Sequence, residues 1–185
     1  MLLASQVRLT GGTRYAALLV SLAVFIIGAL VGYHSLSGLE VFADGGEGGG
    51  HDQSLPGIVG QNLGAAMLLY SGVVTLGVSS LLGLGMTSAY VGATMAVAVG
   101  NAGWGEVLGT AWVYAPIEFG GCVVAAAAGL YPVLSVIGRV FAAEERLALF
   151  GTYVRGLVDS LKLLAVAVAM ILLAGLIELI VIVLE

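Results

Sequence analysis

Two carboxylates in this chain lie where carboxylates are expensive. Glu178 is the one ionisable group between Leu163 and Leu184, and Glu118 stands in the apolar stretch from Val107 to Leu134. Each run is long enough to cross a bilayer, which takes roughly 20 apolar residues. An acidic group inside such a run costs roughly 2.5–3.5 kcal/mol on insertion scales. A carboxylate so placed can take up a proton, hold a cation, or hydrogen-bond to an amide on a neighbouring helix. Asn62, with Gln61 beside it, opens a further apolar stretch and supplies such an amide. The candidate intramembrane polar cluster is therefore Asn62, Glu118 and Glu178. Its plain role is to hold helices together through bonds that average about 0.6 kcal/mol within a membrane. A proton or cation site is the sharper reading of the same three residues.

Other chemistry is sparse. His51-Asp52 is the nearest approach to a catalytic pair, but it sits in a glycine-rich polar stretch with no nucleophile nearby in sequence. No glycine loop ends in a lysine to cradle phosphate, no zinc-ligand spacing occurs, and no serine elbow is present. The single cysteine, Cys122, lies in an apolar run. It allows neither an intrachain disulfide nor a cysteine metal site and serves as a small packing residue. The expectation is a protein that is not an enzyme, with no cofactor and no bound metal.

The elements that position these groups follow from composition. The 185 residues are 60% hydrophobic and 9% charged, with a mean hydropathy of +1.12. A soluble domain carries about 25% charged residues, so this chain cannot cover a water-facing surface. It reads as all-α, a polytopic membrane helix bundle forming a single transmembrane domain over residues 1–185, with the lipid bilayer as its first partner. Six cations supply no basic footprint, which excludes nucleic acid. The apolar runs predict five spans, at about 15–34, 58–82, 85–100, 107–134 and 161–184. An acidic, glycine-rich loop covers 35–57, and a helical linker covers 135–160. The uncharged connection 83–85 reads as a tight hairpin. Residues 101–106 read as a short loop with Trp104 as an interface anchor, and Pro116, near the middle of its span, as a kink. The apolar part of the first span exceeds the 7–15 residues of a signal peptide and is read as a retained helix.

Charge gives these spans a direction. Arg8 and Arg14 precede the first span, while Arg139, Arg146, Arg155 and Lys162 lie between the fourth and fifth. The loop between the first two spans holds Glu40, Asp44, Glu47 and Asp52 and no cation. By the positive-inside rule the amino terminus is cytoplasmic and, with five spans, the carboxyl terminus is outside, in a multi-pass protein of the cell membrane. Counting 1.5 Å per residue puts Glu118 roughly 16 Å deep and Glu178 about 10 Å deep, both in the outer half with Asn62.

The chain has twenty-nine glycines, and those inside apolar runs point to close helix packing. Gly28/Gly32, Gly60/Gly64 and Gly105/Gly109 have the four-residue spacing of helix crossings, although so common a residue produces such pairs by chance as well. Gly72, Gly77, Gly83 and Gly92 are further packing candidates, as are Ala125 and Gly129.

Taken in order, these residues form a pattern. Asn62, Ala66, Gly72 and Gly77 are followed by small residues ending near Gly92. Then come Ala115-Pro116-Ile117-Glu118-Phe119-Gly120-Gly121, running into Ala125 to Gly129, and in the last span Ala174-Gly175-Leu176-Ile177-Glu178. The order resembles the stage II sporulation protein M family over about residues 58–184, with Glu118 and Glu178 at the positions of the family's membrane glutamates. The sequence departs from it at Thr87-Ser88, where the family typically has Asn-Gly, and at Tyr114-Ala115, where it typically has His-Gly. The resemblance implies an integral membrane scaffold. Where the family is best known, that scaffold sits in a complex that remodels septal cell wall and is not itself the hydrolase. The function expected is a non-enzymatic membrane scaffold or assembly partner, acting with further copies of itself or with other membrane proteins. The alternative is a small channel or transporter subunit with a proton or cation site at Glu118, Glu178 and Asn62.

Overall fold

In a bilayer each backbone polar group must be satisfied within its own segment, so apolar runs of Ala, Leu, Val and Ile fold as helices. The computed structural model describes residues 2–37, 55–111, 113–141 and 149–184, and these form five helices with no strand among them. They are α1 (Leu2–Leu36), α2 (Leu55–Tyr70), α3 (Val78–Ala111), α4 (Ala115–Phe141) and α5 (Leu149–Leu184). Four contain segments long and apolar enough to cross a membrane: Gly12–Leu36, Val78–Gly109, Ala115–Phe141 and Leu149–Val181. α2, at 16 residues, is about 24 Å long and falls short of a roughly 30 Å hydrocarbon core.

Several expected boundaries move. The span predicted at 58–82 breaks at Ser71, where a short 3-10 turn, Ser71–Val73, ends α2. The chain reverses over residues 71–77, and the connection expected at 83–85 lies inside α3. The reversal needs positive φ at Leu76 (52°) and Gly77 (89°). A methyl group on Gly77 would also come within 2.7 Å of Leu130. The loop expected at 101–106 is likewise inside α3, which kinks at Gly103 (φ 81°, ψ 161°). Pro116 occupies the first turn of α4, where its missing N–H has no helical partner to lose, and the proline inside that helix is Pro132. α4 continues to Phe141 and α5 starts at Leu149, so most of the expected linker is helical. The acidic loop with His51-Asp52, apart from its edges, lies outside the described residues.

α4 is the hub. It is buried from Gly121 to Pro132 except at Val124, which is half-buried, and Ala125 to Ala128 are fully buried. α1, α2 and α5 pack directly on it, while α3 packs chiefly on α1. An apolar helix with small side chains on all faces belongs at the centre of such an assembly. Helix direction alternates along the chain. Pro132 meets Gly156 while Gly121 meets Ala167 and Ile171, so α4 and α5 are antiparallel. Gly28 meets Gly85 and Ser88 while Gly92 meets Ala29 and Tyr33, so α1 and α3 run parallel. This alternation places Arg14, Arg139, Arg155 and Lys162 towards one end of the bundle, where Arg14 pairs with Asp159 at 3.6 Å and Lys162 with Asp159 at 2.8 Å. Glu118 and Glu178 lie towards the other end.

The Gly103 conformation belongs to a backbone region that is essentially glycine-only. No neighbour stands within 4 Å of where its Cβ would be, so substitution acts through backbone strain alone. Gly103→Ala is expected to lower stability by about 1–3 kcal/mol, read from equilibrium unfolding of the purified protein in mixed micelles.

Candidate functional site

The Glu118 site starts with a turn. Tyr114 ends the connection after α3, and its carbonyl accepts the N–H groups of Ile117 and Glu118, each at 3.0 Å. Pro116 pre-sets the helical φ, and Glu118 falls in the first turn, where the positive end of the helix dipole favours an acidic group. Glu118 is therefore near the start of its helix. The expected depth of eleven residues into a span does not hold, because the span was taken to begin at Val107.

Gly120 and Gly121 follow at once. A Cβ on Gly120 would lie 2.9 Å from Met170 Cε, and one on Gly121 would lie 2.7 Å from Ile171 and 3.3 Å from the Ala167 carbonyl oxygen. Their bare backbones let α5 close against α4. Glu178 thereby comes near enough to Glu118 for the two charges to interact, and the Asn62 side chain of α2 comes within polar-interaction range of Glu118. The three residues singled out by sequence thus converge from α2, α4 and α5. Glu178 is half-buried and makes no hydrogen bond or ion pair among the described residues. The short helix α2 packs on the hub here, and the Glu118–Glu178 contact is repulsive when both are ionised. Among the described residues no group of His, Cys, Asp and Glu has the arrangement to hold a metal ion.

The packing glycines divide. At Gly28 a Cβ would lie 3.0 Å from the Gly85 carbonyl oxygen, at Gly32 2.8 Å from Ala89 Cα, and at Gly92 2.8 Å from the Tyr33 backbone nitrogen. These three form a seam in which the α1 and α3 backbones touch. Gly72 lies where a Cβ would be 2.9 Å from Ser80 Cβ and 3.2 Å from the Gly129 carbonyl oxygen. Gly60 and Gly64, and likewise Gly105 and Gly109, have nothing within 4 Å of a Cβ. Their spacing matches that of the seam, but no helix lies against them.

A second polar cluster was not anticipated. It surrounds the α2–α3 reversal, whose backbone cannot satisfy itself. Ser80, fully buried, donates to the Leu69 carbonyl, and Tyr153 donates to the Val73 carbonyl. Tyr70 and Ser160 share a hydrogen bond of 3.1 Å, Ser71 and Ser79 one of 2.8 Å, and Thr75 Oγ1 accepts the Ser79 N–H at 3.0 Å. Irregular backbone at membrane depth is tolerated where protein groups satisfy it in this way. The signal was present in the sequence: Ser71, Thr75, Ser79 and Ser80 interleaved with Gly72 and Gly77 inside an otherwise apolar run.

No curated protein matches the chain, and neither does any solved structure. The family model for stage II sporulation protein M matches residues 21–181. That stretch holds most of the helical bundle, both membrane glutamates and Asn62, and it includes part of α1, which the sequence resemblance had left outside. An all-helical bundle with four helices apolar enough to cross a membrane, matched over most of its length by that model, has a family: the chain belongs to the stage II sporulation protein M family.

Proposed function

We propose that the protein is a non-enzymatic membrane scaffold. It crosses the cell membrane five times, with a cytoplasmic amino terminus and an external carboxyl terminus, and presents α5 to a partner helix. The observation that carries this reading is the approach of Asn62 on α2 to Glu118 on α4. An amide set beside the carboxyl of the hub helix makes the site a joint between α2 and α4. Charge supports the orientation, since the described cations gather at one end, which the positive-inside rule assigns to the cytoplasm. The alternating helix directions support five passes, with α2 as a short one completed by the 71–77 reversal.

Assembly is the use we assign to Glu178. It lies on a helix whose Leu172, Leu173, Leu176 and Ile180 are exposed, and a half-buried carboxyl among them is a polar contact that a second membrane helix can satisfy. A photo-cross-linking residue at Leu176, in cells, is expected to yield one discrete adduct that Glu178→Leu abolishes. The same probe at Leu19, exposed on α1, is expected to yield none. Equal labelling at both sites, or an adduct indifferent to Glu178→Leu, overturns the assignment.

One observation favours a second reading, a proton or cation pathway. Glu118 and Glu178 interact at the end of the bundle away from the described cations. That reading requires flux that depends on Glu118.

A further inference from the structure

An apolar cleft of about 420 Å³ opens between α1, α3 and the first turn of α4. Phe25, Tyr33, Val91, Met95, Trp104 and Phe119 form most of its wall, and His34 stands at one end. Its walls are fixed by features already described. The bare seam at Gly92 brings α3 against Ala29 and Tyr33, and the kink at Gly103 precedes Trp104, which stacks on Tyr33 with ring centroids 6.0 Å apart. Phe25 and Phe119 meet at 5.7 Å at the deeper end.

The shape selects the occupant. Phe25 to His34 is nine residue steps along α1, so the cleft is roughly 13 Å long, and its whole empty volume of about 810 Å³ gives a mean cross-section of at most roughly 60 Å². A helix 10–12 Å across needs roughly 80–110 Å², so no transmembrane helix enters. A hydrocarbon chain packs against carbon at about 4 Å and fits. Water finds almost no polar partner here, and a trapped water needs two to four. The wall carries no Asp, Glu, Lys or Arg, so nothing there pairs with an ionic group deep inside. Leu30 and Trp104, both on the wall, are also exposed, so the cleft opens onto the apolar outer face of the bundle and chains enter from the bilayer. Tyr33, His34 and Trp104 at one end are residue types that favour the headgroup level, and Phe25 marks the depth a chain reaches.

We infer that this cleft is a lipid site that holds one acyl chain of a membrane phospholipid, with the headgroup at the Trp104–Tyr33 stack and the chain directed towards Phe25. The site is independent of the scaffold reading and of the glutamates. The test uses the full chain with Trp112→Phe, leaving Trp104 as the sole tryptophan. The protein is reconstituted in phosphatidylcholine vesicles with increasing fractions of phosphatidylcholine brominated either close to the headgroup or at mid-chain. Quenching of Trp104 is expected to contain a component that saturates at low brominated fraction and is stronger for bromine near the headgroup. Val91→Phe, which narrows the cleft, is expected to lose that component, whereas Leu19→Phe keeps it. Met95→Phe replaces Val91→Phe if the latter does not elute as the parent protein does. Quenching that rises only in proportion to the brominated fraction and ignores these variants shows bulk annular lipid and overturns the proposal. Trp104 shielded from both brominated lipids shows a protein occupant and overturns it equally.

Discussion

Gly32→Leu is expected to destabilise the protein by about 3 kcal/mol or more, at or above the top of the usual overpacking range, while Gly64→Leu stays within about 0.5 kcal/mol as surface substitutions do. The two glycines are each four residues from another glycine on an apolar helix, and hydropathy treats them alike. Their surroundings differ. The first carbon beyond Cα at Gly32 would meet the Ala89 backbone, with Cα at 2.8 Å, while at Gly64 it would meet nothing within 4 Å. A flexible side chain can yield to an added group, but a helix backbone can do so only if the whole helix moves. The α1–α3 seam also includes Gly28 and Gly92, so separation at Gly32 loosens contacts over two turns. Thermal unfolding in detergent, followed by the loss of helical circular dichroism, measures the difference. Equal losses from the two variants would show that α1 and α3 do not touch along this line.

The second large effect is expected from the pair Asn62 and Glu118. Asn62→Leu leaves the Glu118 carboxyl without its amide, and a buried group stranded in this way costs about 1–3 kcal/mol, more if it is charged. Glu118→Leu strands the amide in turn. The double variant Asn62→Leu/Glu118→Leu removes both polar groups and is expected to be more stable than the sum of the single losses predicts, because replacing both partners with apolar groups of similar shape can be nearly neutral. A coupling of about 0.6–1.7 kcal/mol spans the average and the maximum measured for hydrogen bonds between membrane helices. Equilibrium unfolding of the four proteins in mixed micelles gives the coupling directly. Additive losses would mean that the two side chains act separately.

These two predictions also show what a sequence of this kind reveals. Asn62, Glu118 and Glu178 were legible because a polar group in an apolar run carries a cost, and such groups converge where that cost can be reduced. Their depth was not legible. The apolar character runs without a break from Val107 through Tyr114 to Pro116, and hydropathy is blind to a helix boundary that exchanges no apolar residue for a polar one. The backbone marks it instead, with the Tyr114 carbonyl accepting two N–H groups and a proline in the first turn. The α2–α3 reversal was missed for a related reason. Its serines, threonine and glycines lower hydropathy only slightly, and their function depends on Tyr153 and Ser160, some eighty to ninety residues away. The glycine seam depends on which helices are neighbours, and spacing alone cannot distinguish Gly28 and Gly32 from Gly60 and Gly64.

The charge distribution links sequence, fold and function more simply. Arg14 lies against Asp159 and over the Tyr131 ring at 5.9 Å, so α1, the buried hub and α5 meet towards the cationic end. The opposite end holds the glutamates and the amide. A bundle with an interhelical ion pair between Arg14 and Asp159 towards one end and an amide beside a carboxyl towards the other is suited to holding its helices in fixed relation, as a scaffold must. A transport pathway through Glu118 would need Asn62 to move away from the carboxyl and return.

Ion and proton flux into proteoliposomes containing the wild-type protein or Glu118→Gln tests that distinction most directly. The scaffold account predicts background flux from both. Wild-type flux above background that Glu118→Gln abolishes would contradict it and establish the carboxylate as part of a conduction path.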